Sequence, residues 1–128
     1  MSKKRKGINA ERELVHLFWK KGWAAIRIAG SGSIRYPSAD ILASNGLRKL
    51  AIECKTTRTK KKYLKKKEIK NFKKFASIFG AEPWIGIKFK KTEWLFLSLD
   101  DLKKTKNSFL ITMELARKKG FLLEELIT

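Results

Sequence analysis

The stretch that most constrains the fold is a pair of apolar runs, Ala39 to Ala43 and Lys49 to Lys55, joined around Ser44-Asn45-Gly46. An Asn-Gly pair between two strand patterns is a strong hairpin signal, because these residues tolerate the positive φ angles of a tight turn. The hairpin brings Asp40 and Glu53 onto neighbouring strands, near the ends remote from the turn. Asp40 sits among Ala39, Ile41, Leu42 and Ala43, and Glu53 follows the buried pattern Leu50-Ala51-Ile52. Glu53 and Lys55, two apart on a strand, project from one face, while Cys54 points to the other. Taken singly, Asp40 reads as a turn acid after Pro37-Ser38, and Glu53 with Lys55 as a surface ion pair.

The flanking segments complete an α/β pattern. Ile8 to Lys21 has helical periodicity, with Asn9 as its expected cap and Gly22 as its stop. Trp23 to Ile28 reads as a strand, Gly30-Ser31-Gly32-Ser33 as a flexible loop, and Ile34-Arg35-Tyr36-Pro37 as turn or edge. Lys55 to Lys67 is dense in lysine, with too few apolar residues for core. A second amphipathic helix carries the stripe Ile69, Phe72, Phe75 or Ala76, and Phe79, and ends at Gly80. Trp84 to Phe89 and Trp94 to Leu99 form a further hairpin across residues 90–93. Phe109-Leu110-Ile111 reads as a short strand and Phe121 to Ile127 as a short helix. Trp84, Trp94 and Phe96 are expected in the core, with some of them available to a dimer contact, and His16 is expected on the surface. The order implies a mixed sheet with helices.

The chain has 128 residues, 43% of them hydrophobic, which suits one domain with a packed core. Residues 1–6 read as a flexible basic arm. No apolar stretch reaches the roughly 18 residues of a membrane span, and none forms a signal-peptide core. The single cysteine, Cys54, excludes an internal disulfide and a cysteine-based zinc site, and reads as a small buried hydrophobe. A cytoplasmic protein without membrane association or organic cofactor is expected. The 31 Lys and Arg residues outnumber the 12 Asp and Glu, giving a net charge of +19. Such an excess calls for a polyanion, and nucleic acid is the natural one.

Acids in so basic a chain are therefore informative. Leu14, Val15 and Phe18 follow Glu11 by three, four and seven residues, so Glu11 occupies the middle of an apolar helical stripe while Glu13 lies on the wet side. A first-turn carboxylate stabilised by the helix dipole is the ordinary account of Glu11. One arrangement explains all three acids together. Asp40 and Glu53 supply hard oxygen ligands to Mg²⁺, which keeps several waters, and Glu11 completes the shell directly or through water. The metal acidifies a bound water and neutralises charge on a phosphate. Lys55 orients or deprotonates that water, or stabilises the pentacovalent phosphate.

Asp40 followed by Glu53-Cys54-Lys55 resembles the Asp…Glu-x-Lys signature of the PD-(D/E)xK nuclease superfamily. Gly7, Ala10-Glu11-Arg12-Glu13-Leu14, Gly22, Arg27, Gly30-Ser31, Asp40 and Ile52-Glu53-Cys54-Lys55 together resemble the archaeal Holliday junction resolvase family. The specific motifs fall in residues 7–55, and length and element order match over nearly the whole chain. The pattern departs from the family in placing Pro37-Ser38-Ala39 before the acid and in a longer loop over residues 34–37. The resemblance implies an α/β, restriction-endonuclease-like core with a central mixed β-sheet flanked by helices. It implies metal ligation by Asp40 and Glu53, Glu11 as a third acid, Lys55 as the catalytic lysine, and phosphate contacts from Arg12 and Arg27. Ser31 would act in catalysis or engage DNA from its loop. Family members work as homodimers with Mg²⁺ or Mn²⁺ and place paired nicks in four-way junctions during recombination and repair.

Lysines from Lys60 to Lys74 are the candidate duplex-binding surface, with Lys60, Lys61, Lys62, Lys65 and Lys66 as its leading members. They interleave with Tyr63, Leu64, Ile69 and Phe72. Ammonium groups suit phosphates, which position a protein on DNA without conveying sequence. Binding selective for branched structure, weakening steeply with salt, follows. A solvated lysine-rich helix face is the ordinary account of each lysine alone. Two other readings stand beside a junction-resolving nuclease: a related nuclease acting on non-junction DNA, and a non-catalytic basic nucleic-acid-binding protein. The second leaves Glu11, Asp40 and Glu53 unexplained, since carboxylates repel the phosphates that such a protein must attract.

Overall fold

The computed structural model describes residues 2–33 and 35–128. Helix α1 (Lys3–Lys20) leads into β1 (Ala24–Arg27), a short 3₁₀ turn (Ser31–Ser33), and the hairpin of β2 (Ile41–Ser44) and β3 (Lys49–Thr57). Next come β4 (Lys61–Lys65), α2 (Lys66–Phe79), β5 (Glu82–Phe89) and β6 (Leu95–Ser98). The chain ends in β7 (Lys103–Lys104), β8 (Ser108–Thr112), α3 (Met113–Lys119) and α4 (Leu123–Leu126). Five strands form a mixed sheet in the order β1-β2-β3-β5-β6, and β4, β8 and β7 form a second, three-stranded sheet.

The hairpin forms as its turn chemistry demands. Gly46 takes a φ of 96°, and the Asn45 side-chain oxygen accepts from the backbone N–H groups of Leu47 and Arg48 at 2.9 and 2.7 Å. Antiparallel register pairs Ile41 with Ile52 and Leu42 with Ala51, and the Asp40 N–H donates to the Ile52 carbonyl at 3.0 Å. Asp40 lies just ahead of this ladder, within electrostatic reach of Glu53. Strand β3 also pairs in parallel with β5, Glu53 beside Ile85 and Lys55 beside Ile87, through a crossover that contains α2.

Alternation along β3 feeds two cores. Leu50 and Ile52 join Leu14 and Phe18 of α1, together with Phe96, Leu123 and Leu126, on one side of the large sheet. Ala51, Ile85, Ile87 and Leu97 join Ile69, Phe72 and Ala76 of α2 on the other. Glu53 and Lys55 share the α2 side, because they stand in register with Ile85 and Ile87. The helical stripe of α2 is buried as expected through Ala76, but Phe79 is half-exposed. Gly80 closes the helix in the left-handed region, donating its N–H to Ala76. Trp94 and Phe96 are core residues, whereas Trp84 is half-buried with its ring edge-on to Phe121. His16 is exposed.

Four local expectations change. The first helix starts at Lys3 and not near Ile8, with Ser2 as its cap: the Ser2 hydroxyl oxygen accepts from the Arg5 N–H at 3.2 Å. The basic segment is thus helical from Lys3, Asn9 lies inside the helix, and Met1 falls outside the described residues. The loop before Asp40 contains one tight 3₁₀ turn at Ser31–Ser33, and its Ile34 is also outside the described residues. The lysine-dense stretch contains β4, whose Leu64 is fully buried. Its apolar partners Phe109 and Ile111 lie about 45 residues onward in β8, so no local pattern announces the strand. The tail holds α3 in addition to the expected strand and short helix.

Candidate active site

The site forms where β2 and β3 leave the hairpin. Asp40, just ahead of β2, is the one buried charged residue among those described, 9% exposed. Both of its carboxylate oxygens are held. The Ser31 hydroxyl donates to Oδ1 from the 3₁₀ turn, and the Cys54 backbone N–H donates to Oδ2 at 2.8 Å. These bonds offset the cost of burying the charge. Ser31, expected as a catalytic or DNA-engaging residue, is therefore a direct partner of Asp40.

Glu53 lies across the strand pair from Asp40, and Lys55 stands two residues on. The Lys55 ammonium comes within 3.8 Å of the Glu53 carboxylate and donates to Glu68 Oε1 from the first turn of α2. Burial, reinforced by the charge of Asp40 and a hydrogen bond to Glu68, pushes the Glu53 carboxyl up to about 9. Glu53 accordingly keeps its proton at neutral pH and donates it to Glu68. Glu68 is held below the ordinary carboxylate range: burial works against this, but hydrogen bonds from Glu53 and Lys55 outweigh it. Burial likewise opposes the Lys55 charge, yet the hydrogen bond to Glu68 and the charges of Glu68, Glu53 and Asp40 hold its pKa up.

Glu11 approaches from α1. Because the helix begins at Lys3, Glu11 lies beyond its first turn, which contains no acid, so the dipole does not account for it. Its partner is Arg27 of β1, whose guanidinium donates at 3.4 Å. Burial and the charge of Asp40 raise the Glu11 pKa against this ion pair. Arg27, expected to meet phosphate, is thus shared with an acid, while Arg12 is exposed on the same helix. Glu13 lies on the wet side and pairs with Lys88 at 2.8 Å.

Among the described residues, no group of three or more His, Cys, Asp or Glu side chains is placed to hold a metal ion. What the fold brings together is the pair Asp40 and Glu53, with Lys55 beside Glu53. That donor set is hard oxygen. It suits a divalent cation of the Mg²⁺ type, which needs few protein ligands and retains water. Cys54 is no nucleophile: burial, with the charges of Asp40, Glu11 and Glu53, pushes its thiol well above the usual range.

Sequence patterning did not single out Glu68. Its signal is compositional, for it is the only acid between Lys60 and Lys74. The basic candidates flank it. Lys61 and Lys65 are exposed on β4, Lys62 turns to the other face and is half-buried, and Lys60 precedes the strand. Lys66 opens α2 and reaches the Lys106 carbonyl at 3.0 Å.

A carboxyl forced to keep its proton has a measurable consequence. The unfolded chain releases the Glu53 proton near pH 4.5 while the folded chain holds it to about pH 9, so this group's stabilising contribution falls as pH rises through that window. Glu53→Gln keeps a hydrogen-bond donor toward Glu68 and removes the titration. We expect the variant to melt several degrees above the parent at pH 7, on the order of 4–8 °C per kcal/mol for small domains. The gain should vanish near pH 4. A lower melting temperature at pH 7 would contradict this account.

Comparison with known proteins identifies the family. The family model described as archaeal Holliday junction resolvase matches residues 2–128. The crossover junction endodeoxyribonuclease Hjc of Archaeoglobus fulgidus is 41% identical over 108 residues, 84% of this chain and 79% of that protein. The crossover junction endodeoxyribonuclease Hje of Saccharolobus solfataricus is 42% identical over 94 residues, 71% of this chain and 70% of that protein. The solved structure of Archaeoglobus fulgidus Hjc superposes with a TM-score of 0.88 at 36% identity, covering 93% of this chain and 96% of that one. The architecture is the restriction-endonuclease-like α/β core with a central mixed sheet. With a match over residues 2–128 and that core, the chain belongs to the archaeal Holliday junction resolvase family.

Proposed function

We propose that this protein is a divalent-metal-dependent endodeoxyribonuclease that resolves four-way DNA junctions by paired phosphodiester hydrolysis in recombination and repair. The observation that carries the reading is the meeting of Asp40, Glu53 and Lys55 across the β2–β3 register, in a chain of this family. Related proteins are named crossover junction endodeoxyribonucleases. A non-catalytic coat protein has no use for buried carboxylates among 31 basic residues.

The residues divide the work. Ser31 and the Cys54 N–H orient the Asp40 carboxylate, so its remaining lone pairs face the cleft. Asp40 and Glu53 would hold Mg²⁺, with Mn²⁺ as a substitute, and Glu53 would have to be deprotonated to serve as a ligand. Bound there, the ion supplies charge neutralisation at the phosphate and an acidified water. Lys55, kept charged by its acidic neighbours, stabilises the added negative charge on phosphorus. Glu11 and Arg27 form an adjoining pair, from which the guanidinium can shift toward a neighbouring phosphate. Arg12 and the lysines Lys60, Lys61, Lys62, Lys65 and Lys66 supply phosphate contacts along the arms, and the protein works on cytoplasmic DNA.

Two cuts across a junction call for two sites related by a twofold axis, and we assign a homodimer to the apolar surface beside the site. Tyr36 and Ile78 are 70% and 78% exposed. They line one groove with Pro37 and Phe75. Phe79 borders this groove and a second one that includes Ile26 and Leu42, so the patch is continuous. Ile78→Asp should convert a dimer to monomers by light scattering and uncouple the two nicks. A dimer of unchanged mass would place the interface elsewhere.

The decisive assay compares a four-way junction with a linear duplex of matched sequence, each with Mg²⁺ or EDTA. Paired cuts confined to the junction and to Mg²⁺ are expected. Asp40→Asn should slow cutting at least about 100-fold, the scale of losing one electrostatic partner of a transition state, with junction binding retained or tighter. Equal cutting of both substrates would remove junction selectivity, and absence of cutting would favour a binding protein.

A further inference from the structure

Glu68 is the one charged residue at this site that the nuclease motif does not contain. It stands in the first turn of α2, where an acid is ordinarily explained by the helix dipole. A dipole partner has no reason to leave solvent. The Glu68 side chain is only 28% exposed, accepts from the Lys55 ammonium, and shares a hydrogen bond with Glu53. Its neighbour Ile69 and, one turn on, Phe72 are buried in the core. Packing of α2 therefore sets where the Glu68 carboxylate points, while the lysines around it remain on the surface.

We propose that Glu68 is a positioning residue for the phosphodiester cleavage reaction, anchoring the Lys55 ammonium beside Glu53. The proposal rests on the reading of Asp40, Glu53 and Lys55 as the catalytic centre. A lysine carries a point charge on a flexible four-carbon stem, and at this site it is flanked by carboxylates on both strands. Without an anchor it can swing toward any of them. With one N–H fixed on Glu68 and Glu53 3.8 Å away, the remaining donors have a defined direction toward an incoming phosphate. Preorganising a cation in this way contributes to the rate without adding to ground-state affinity.

The test uses the full chain and a four-way junction under single-turnover conditions with saturating enzyme and Mg²⁺. Glu68→Gln should lower the cleavage rate at least about tenfold, leave the junction Kd within about twofold, and leave the circular dichroism spectrum unchanged. Glu68→Asp, which keeps an anionic acceptor on α2, should recover part of the rate. A Glu68→Gln rate within twofold of the parent overturns the proposal. So does a slower rate accompanied by a weaker junction Kd and no recovery in Glu68→Asp, which is what a purely structural role gives. Lys55→Ala is run in parallel. If it cuts at the parental rate, the catalytic reading of Lys55 falls and the proposal with it; if it is inactive while Glu68→Gln is normal, only the proposal falls.

Discussion

The structure turns on one relation, the close approach of the Asp40 and Glu53 carboxyls at the open end of the β2–β3 hairpin. Two carboxyls in a half-buried setting repel each other and resist leaving water, so a fold arranged for stability alone would separate them. Here the cost is distributed. Asp40 accepts from a serine hydroxyl and a backbone N–H, Glu53 holds a proton, and Glu68 and Lys55 close the network. The hairpin register that creates the juxtaposition also packs Ile41, Leu50 and Ile52 against α1. A slip of one residue would expose that core and move the acids to different faces, so the site and the core stand or fall together.

The local acidity makes sense against the charge of the whole molecule. A net charge of +19 attracts the phosphate backbone over long distances, but phosphate cannot settle on bare carboxylates. A divalent cation held by Asp40 and Glu53 would reconcile the two by supplying positive charge where phosphate must come. Exposed lysines on β4 and at the start of α2 adjoin Glu68 in the chain, and would hold a duplex through its phosphates.

Much of this was legible from residues alone because the signals were local. The Asn45-Gly46 turn specified the hairpin, Gly80 ended α2, and Asp40, Glu53 and Glu11 stood out as acids among apolar neighbours. What escaped was non-local or depended on a cap. Strand β4 has one buried residue, Leu64, whose partners come from β8, so its lysines masked it. Ser2 takes the capping role from Asn9 because a run of lysine and arginine is helix-compatible once capped. Glu11 was placed on the correct face, but its pairing with Arg27, 16 residues onward, depends on how β1 returns along α1. Glu68 meets Lys55 only after the crossover folds back, which no spacing rule expresses.

If Asp40 and Glu53 together hold one divalent cation, its binding displaces the Glu53 proton. Calorimetric titration of Mn²⁺ into the protein at pH 7, in two buffers of different ionisation enthalpy, reads that proton directly. The account predicts saturable binding of about one ion per chain with release of close to one proton, both abolished by Asp40→Asn. Saturable binding without proton release, or binding indifferent to Asp40→Asn, would contradict it.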